Sequence, residues 1–236
     1  MKDKQVFFNP IRMISPKLDA ETLKLESLYK HPVSESLTLE EGLLVMLSKL
    51  IEMARLARLG FISDCPEEIE ACEVLGKEVH DQEKLLTSNL ACALKEPKEM
   101  CRAIILFPSH LERIGDFLEG ILNCCKIKTR DSVPFSEKGL FEIDDLLKFV
   151  LEMLKNLRDS IIAPNKYLLN HIVSEEKRLD QMCQDLQVGH VDRLLQGICA
   201  PRGSSLYLDI LESIQALMRH VKAMAEDLLN ILPEKA

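Results

Sequence analysis

The chain holds 236 residues, 47% of them hydrophobic and 29% charged, with a formal net charge of −8. That is enough apolar material for a sizeable core, in one domain or two intimate ones. The acidic balance argues against broad nucleic-acid binding and against general attraction to anionic lipid, leaving room only for local basic patches, and no apolar run approaches the roughly 20 residues that span a bilayer.

Only 9 Gly and 10 Pro interrupt the chain, and Trp is absent, a composition that favours helix over sheet. Residues 1–36 form a polar, irregular lead-in broken by Pro10, Pro16 and Pro32, without the apolar stretch of a signal peptide. The first predicted helix runs from about 38 to 60 on a seam of Leu39, Leu43, Met46, Leu50, Met53 and Ala57, spaced four and three apart. Thr38 and Glu41 suit a capping box, and Gly60 suits the stop. The second runs from about 66 to 95, opened by Pro66 and two glutamates, on Ile69, Cys72, Gly76, Val79, Glu83 and Leu86. Gly76 and Glu83 make this the weakest seam. The third runs from about 97 to 128 on Met100, Ile104, Phe107, Leu111, Ile114, Leu118, Ile121 and Cys125; Pro108 inside it predicts a kink one turn before Glu112.

A break at "KTRDSVPFSEKG" separates two halves. The fourth helix, about 138 to 162, carries Ile143, Leu147, Val150, Leu154 and Leu157 on its seam, and the fifth, about 165 to 196, carries Leu169, Ile172, Leu179 and Cys183. The sixth, about 204 to 232, runs on Tyr207, Leu211, Ile214, Met218, Val221 and Ala225. The halves register with an offset near 100 residues: Leu111, Ile114, Leu118 and Ile121 align with Ile214, Leu217, Val221 and Met224. The expected fold is all-α, a tandem repeat of two three-helix bundles over 37–130 and 136–233.

The eight cysteines form no CxxC, so they read as small hydrophobes in a reducing compartment rather than a disulfide or zinc framework. None of the six histidines follows a Glu or Asp by three residues, which excludes a ferritin-like di-iron site; no HExxH, G-x-S-x-G or Gly-rich phosphate loop is present. An enzyme is therefore not expected. His80 and His220 read as surface or seam-edge residues, and His190 as a contact to a neighbouring helix.

Two acidic pairs stand out. Glu112 and Asp116 share a helix face, and like charges at that spacing cost about 0.2–0.5 kcal/mol in an isolated helix. They extend into a stripe with Glu119 and Asn123, which reads either as a solvated flank or as an acidic surface for a cation with oxygen ligands. Arg113 is placed to pair with Asp116. On the fifth helix Glu176 and Asp180 repeat the spacing, and Glu176 falls on the apolar seam, where a carboxylate needs a partner.

"HLERIGDFLEGI", on the last helix of a three-helix repeat, resembles the LERIGDHAxNIAE pattern of PhoU-like phosphate-uptake regulators, and the tandem layout extends the likeness from about residue 38 onward. "GHVDRLLQG" followed by "SSLYLDILESIQALMRHV" is similar to the PhoU-like tail of sodium/phosphate cotransporters. The resemblance implies metal clusters held by E/D-x-x-x-D pairs on the second and third helices of each repeat. Glu112 and Asp116 match, with Phe117 and Gly120 in place of the pattern's His and Asn; their counterparts on the second helix are Gly76 and His80. Glu176 and Asp180 match, facing Gln215 and Arg219, with His220 retained. Half of each site is thus kept. The candidate ligands are Glu112, Asp116, Glu176 and Asp180, with His80, Glu83 and Asp81 close by, for iron, zinc, manganese or magnesium and no organic cofactor. In the second repeat an ion pair from Glu176 or Asp180 to Arg219 would replace the metal. The implied role is a non-enzymatic cytoplasmic regulator of phosphate transport, bound to a transporter or a signalling histidine kinase at the inner face of the membrane. The lead-in would then serve as a tether, and the helix faces permit a homodimer. The alternatives are a metal-storage protein and a metal-free interaction scaffold.

Overall fold

The computed structural model describes residues 38–93, with backbone alone over 89–93, and residues 104–232. The lead-in at 1–36 and the predicted stretch around Met100 lie outside the described residues. The described residues form six long helices: α1 (Leu39–Ser63), α2 (Pro66–Ala93), α3 (Phe107–Arg130), α4 (Glu137–Ile162), α5 (Lys166–Leu195) and α6 (Pro201–Ile231). Among the described residues there is no strand, and no helix is long and apolar enough to cross a membrane.

Local chemistry sets most of the ends. Thr38 Oγ1 accepts from the Glu41 amide at 3.2 Å, and Glu41 Oε2 accepts from the Thr38 amide at 3.1 Å. This capping box satisfies two orphan donors at the start of α1. The helix does not stop at Gly60 as predicted. Gly60 is buried, and a Cβ there would lie 3.0 Å from Ile69 Cγ1, so its role is the close approach of α2. The stop falls instead at Asp64, in the left-handed region with φ 52°. Its carboxylate is held by Lys128 Nζ at 2.6 Å and Thr129 Oγ1 at 3.0 Å.

Pro108 does not kink a helix. It lies in the first turn of α3, where its missing N–H is one of the four that have no helical partner anyway. For the same reason α6 opens on Pro201, earlier than the predicted 204. On α2 the buried seam position is Gln82, fully enclosed, while Glu83 is half-exposed. Val79, Gln82 and Leu86 keep the three-then-four spacing, so the seam slips by one residue around a polar side chain.

α1, α2 and α3 pack on one another, as do α4, α5 and α6. Across the halves α1 lies against α4 and α3 against α6. α1, α3, α4 and α6 therefore form the centre, and α2 and α5 flank it. One continuous apolar core joins both halves, with Leu47, Leu50, Leu111, Ile114, Ile143, Leu147, Ile214 and Met218 fully buried. At roughly 1.5–3 kcal/mol per buried large aliphatic side chain, this core dominates stability over any surface ion pair. Arg58 of α1 adds a charged tie to α4, donating to Asp144 Oδ1 at 2.6 Å.

Candidate functional site

The α2–α3 face carries the first acidic pair. Glu112 Oε1 lies 2.9 Å from His80 Nδ1, bridging the two helices, and Arg113 Nη1 donates to Asp116 Oδ2 at 3.2 Å. One turn further on, Glu119 lies over Gly76, and a Cβ at Gly76 would run into its carboxylate. Burial, then the neighbouring Asp116 charge, raises the Glu119 carboxyl above its ordinary value. Glu73 pairs with Lys126 across the same two helices. Glu83 turns back to its own helix and accepts from Thr87 Oγ1 at 2.7 Å. The structure thus brings together His80, Glu112 and Glu119, and leaves Glu83 apart.

The α5–α6 face carries the second pair. Glu176 is buried, as its seam position predicts, and Lys222 Nζ donates to its Oε2 at 3.0 Å. Gln215 Nε2 donates to Asp180 Oδ1 at 3.0 Å. The hydrogen bond to Glu176 raises Lys222 above the usual lysine value. The predicted partner, Arg219, is exposed instead. Gln215, Arg219 and Lys222 share one helix face at four- and three-residue spacing, but Arg219 is turned to solvent and the bonds to Asp180 and Glu176 come from Gln215 and Lys222.

A third polar cluster lies between α4, α5 and α6, and of its contacts only that of His190 to a neighbouring helix was expected. Arg193 holds Glu142 through two bonds, Nη1 to Oε1 at 3.1 Å and Nη2 to Oε2 at 2.6 Å. Tyr207 Oη donates to Glu142 Oε2 at 2.7 Å, and the His190 ring stacks on Tyr207 with centroids 4.2 Å apart. Burial opposes the charge on Arg193, but the bonds from Glu142 outweigh it and raise the guanidinium. Burial, then the Arg193 charge, lowers His190 and keeps its imidazole neutral. The available signal in the sequence was Tyr207, because a tyrosine on an apolar seam needs a partner for its hydroxyl.

All six described cysteines are free. Burial pushes Cys72, Cys125 and Cys183 up to about 12 and Cys124 up to about 11, so these stay inert thiols.

No protein-family model matches the chain, and no curated protein matches it in sequence. Solved structures do match. The phosphate transport system regulatory protein PhoU from Streptococcus pneumoniae superposes with a TM-score of 0.71 at 18% identity, over 90% of this chain and 95% of that one. PhoU from Pseudomonas aeruginosa superposes with a TM-score of 0.74 at 15% identity, over 90% and 97%. The chain has the PhoU fold. At such identities it is the helical framework that is shared.

Whether this version of the PhoU fold suits a metal is decided by its donor atoms. A hard cation needs several oxygen ligands free of competing cations. In the second site Glu176 is paired with the Lys222 ammonium and Asp180 accepts from Gln215. In the first, Glu112 faces His80 and Asp116 faces Arg113. Among the described residues no group of three or more His, Cys, Asp or Glu side chains is arranged to hold a metal ion.

Proposed function

We propose that the protein is a non-enzymatic regulator of inorganic phosphate transport, acting by docking to a transporter or a signalling histidine kinase on the cytosolic side of the membrane. The observation that carries this reading is the superposition on two PhoU proteins, one of them a phosphate transport system regulatory protein, over 90% of the chain. The likeness of the 189–221 stretch to a cotransporter tail supports a transporter as the first partner to test. Co-purification with phosphate-transporter components at low and at high phosphate is the test. Association that changes with phosphate is the expected result, and none under either condition overturns the reading.

The scaffold form of this function is favoured over the metal-storage form by Lys222 on Glu176 and His80 on Glu112. The purified protein is expected to carry well under one equivalent of iron, zinc, manganese or magnesium by elemental analysis. Partner binding is expected to survive replacement of Glu112 and Asp116 by Ala. A full equivalent of one metal, lost in that double variant, would restore the metal-site reading.

A further inference from the structure

α2 is seated on α1 and α3 through glycine sockets. A Cβ at Gly42 of α1 would run into Leu86, one at Gly60 would lie 3.0 Å from Ile69 Cγ1, and one at Gly115 of α3 would lie 3.4 Å from Val79 Cγ1. Gly42 and Gly60 are about five turns apart, which puts both sockets on one face of α1. Glycine inside a helix weakens it. These positions give up helix stability so that Ile69, Val79 and Leu86 key α2 into a single register.

The middle of this interface is poorly satisfied. Gln82, between Val79 and Leu86, is fully buried, and neither its Nε2 nor its Oε1 has a hydrogen-bond partner among the described residues. Docked, the amide forfeits the bonds that it makes to water when α2 is away. On the flanks Glu73 pairs with Lys126, Glu78 with Lys49 at 2.9 Å and His80 with Glu112 at 2.9 Å. In each pair the α2 side chain is about half-exposed, so the three ties add little. α5, its counterpart one hundred residues on, lacks the defect. At the positions matching Gln82 and its neighbour, Met182 packs against the core and Cys183 is fully buried. The buried carboxylate of α5, Glu176, has Lys222.

We propose that α2 is a detachable helix, which docks and undocks as a unit while α1, α3, α4, α5 and α6 stay packed. Those five hold together without it, through the α1–α4 and α3–α6 contacts and the core they share. The sockets return α2 to one register, and hydration of Gln82 lowers the cost of leaving. α2 is thus a built-in cover for the α1–α3 groove. The proposal does not rest on the partner-docking reading.

Native-state hydrogen exchange on the full chain, read by mass spectrometry, tests it with α5 as the internal reference. After correction for intrinsic rates, residues 72–86 are expected to exchange about tenfold or more faster than residues 172–186 and than the buried amides of α1 and α3. Gln82→Leu removes the unpartnered amide and is expected to slow residues 72–86 by about fivefold or more, with residues 172–186 unchanged. Gln82→Met, closer in shape, gives the same readout if leucine does not fit. Equal protection of the two stretches in the unaltered protein would overturn the proposal. So would unchanged α2 exchange in both variants, or a slowing shared by all the helices, which would assign Gln82 to global unfolding alone.

Discussion

At the scale of single residues, the informative positions are charges that sit where apolar side chains were due. Glu176 lies on the α5 seam and is 6% exposed. The seam position predicts that it needs a partner, and the expected one is Arg219 of α6, although Gln215 and Lys222 stand on the same face within two turns. Lys222 takes the role. Lys222→Met leaves a buried carboxylate alone and is expected to cost about 1–3 kcal/mol in urea unfolding at unchanged m. Combining it with Glu176→Leu should recover most of the loss. A loss below about 0.5 kcal/mol in the single variant would mean that water, not Lys222, satisfies Glu176.

At the scale of elements, glycines set how closely helices approach, and two of them give opposite expectations. A Cβ at Gly76 meets only the mobile end of Glu119. Gly76→Ala is therefore expected to be neutral or to stabilise by up to about 1 kcal/mol, the helix-propensity gain. A Cβ at Gly203 lies 2.8 Å from the Pro134 carbonyl oxygen, which is backbone and cannot swing aside. Gly203→Ala should cost about 1–3 kcal/mol despite the same propensity gain. Thermal unfolding of the two variants side by side decides whether obstruction by side chain or by backbone sets the sign. The α1–α4 contact has its own pH signature. Burial alone would raise Asp144, but hydrogen bonds from Arg58 and Lys148 outweigh it and hold the carboxyl low. A depressed carboxylate contributes its stability in full above the unfolded value of about 3.9 and loses it as pH falls through the folded value. Asp144→Asn should flatten the acid limb of a stability–pH curve, and an unchanged limb would assign it to other carboxylates.

At the scale of the whole molecule, the two halves meet along α1–α4 and α3–α6. On the second of these seams His110 Nδ1 and His220 Nδ1 are 2.9 Å apart, with the Phe117 ring beside His220. Burial lowers both; His110 and the cations of Arg113 and Arg219 lower His220 further, against a raising pull from Asp227 on His110. A histidine lowered in the folded state contributes stability above its unfolded value of about 6.5 and loses it as pH falls below that. The protein is expected to lose stability as pH falls below about 6.5, and His220→Phe, which keeps the stack but cannot be protonated, should remove the share of that slope that belongs to the His110–His220 pair and leave the share of His190. Denaturant midpoints across the range check this. A slope unchanged by the substitution would place the proton uptake elsewhere.

The sequence by itself determined the six long helices of the described residues, every seam but that of α2, and the pairing of two three-helix sets, because three-and-four spacing of apolar residues is a one-dimensional record of which face is buried. It also marked Glu112, Asp116, Glu176 and Asp180 as unusual, since their spacing and seam position are local facts. Only the tertiary structure decided what satisfies them, because a side chain's partner depends on the rotation and axial offset of another helix. One residue of rotation separates Gln82 from Glu83 on α2 and put the wrong one in the predicted core. The Arg193–Glu142–Tyr207–His190 cluster draws on three helices and 66 positions of chain from Glu142 to Tyr207; no spacing rule within one helix connects them, and their meeting is a product of packing alone.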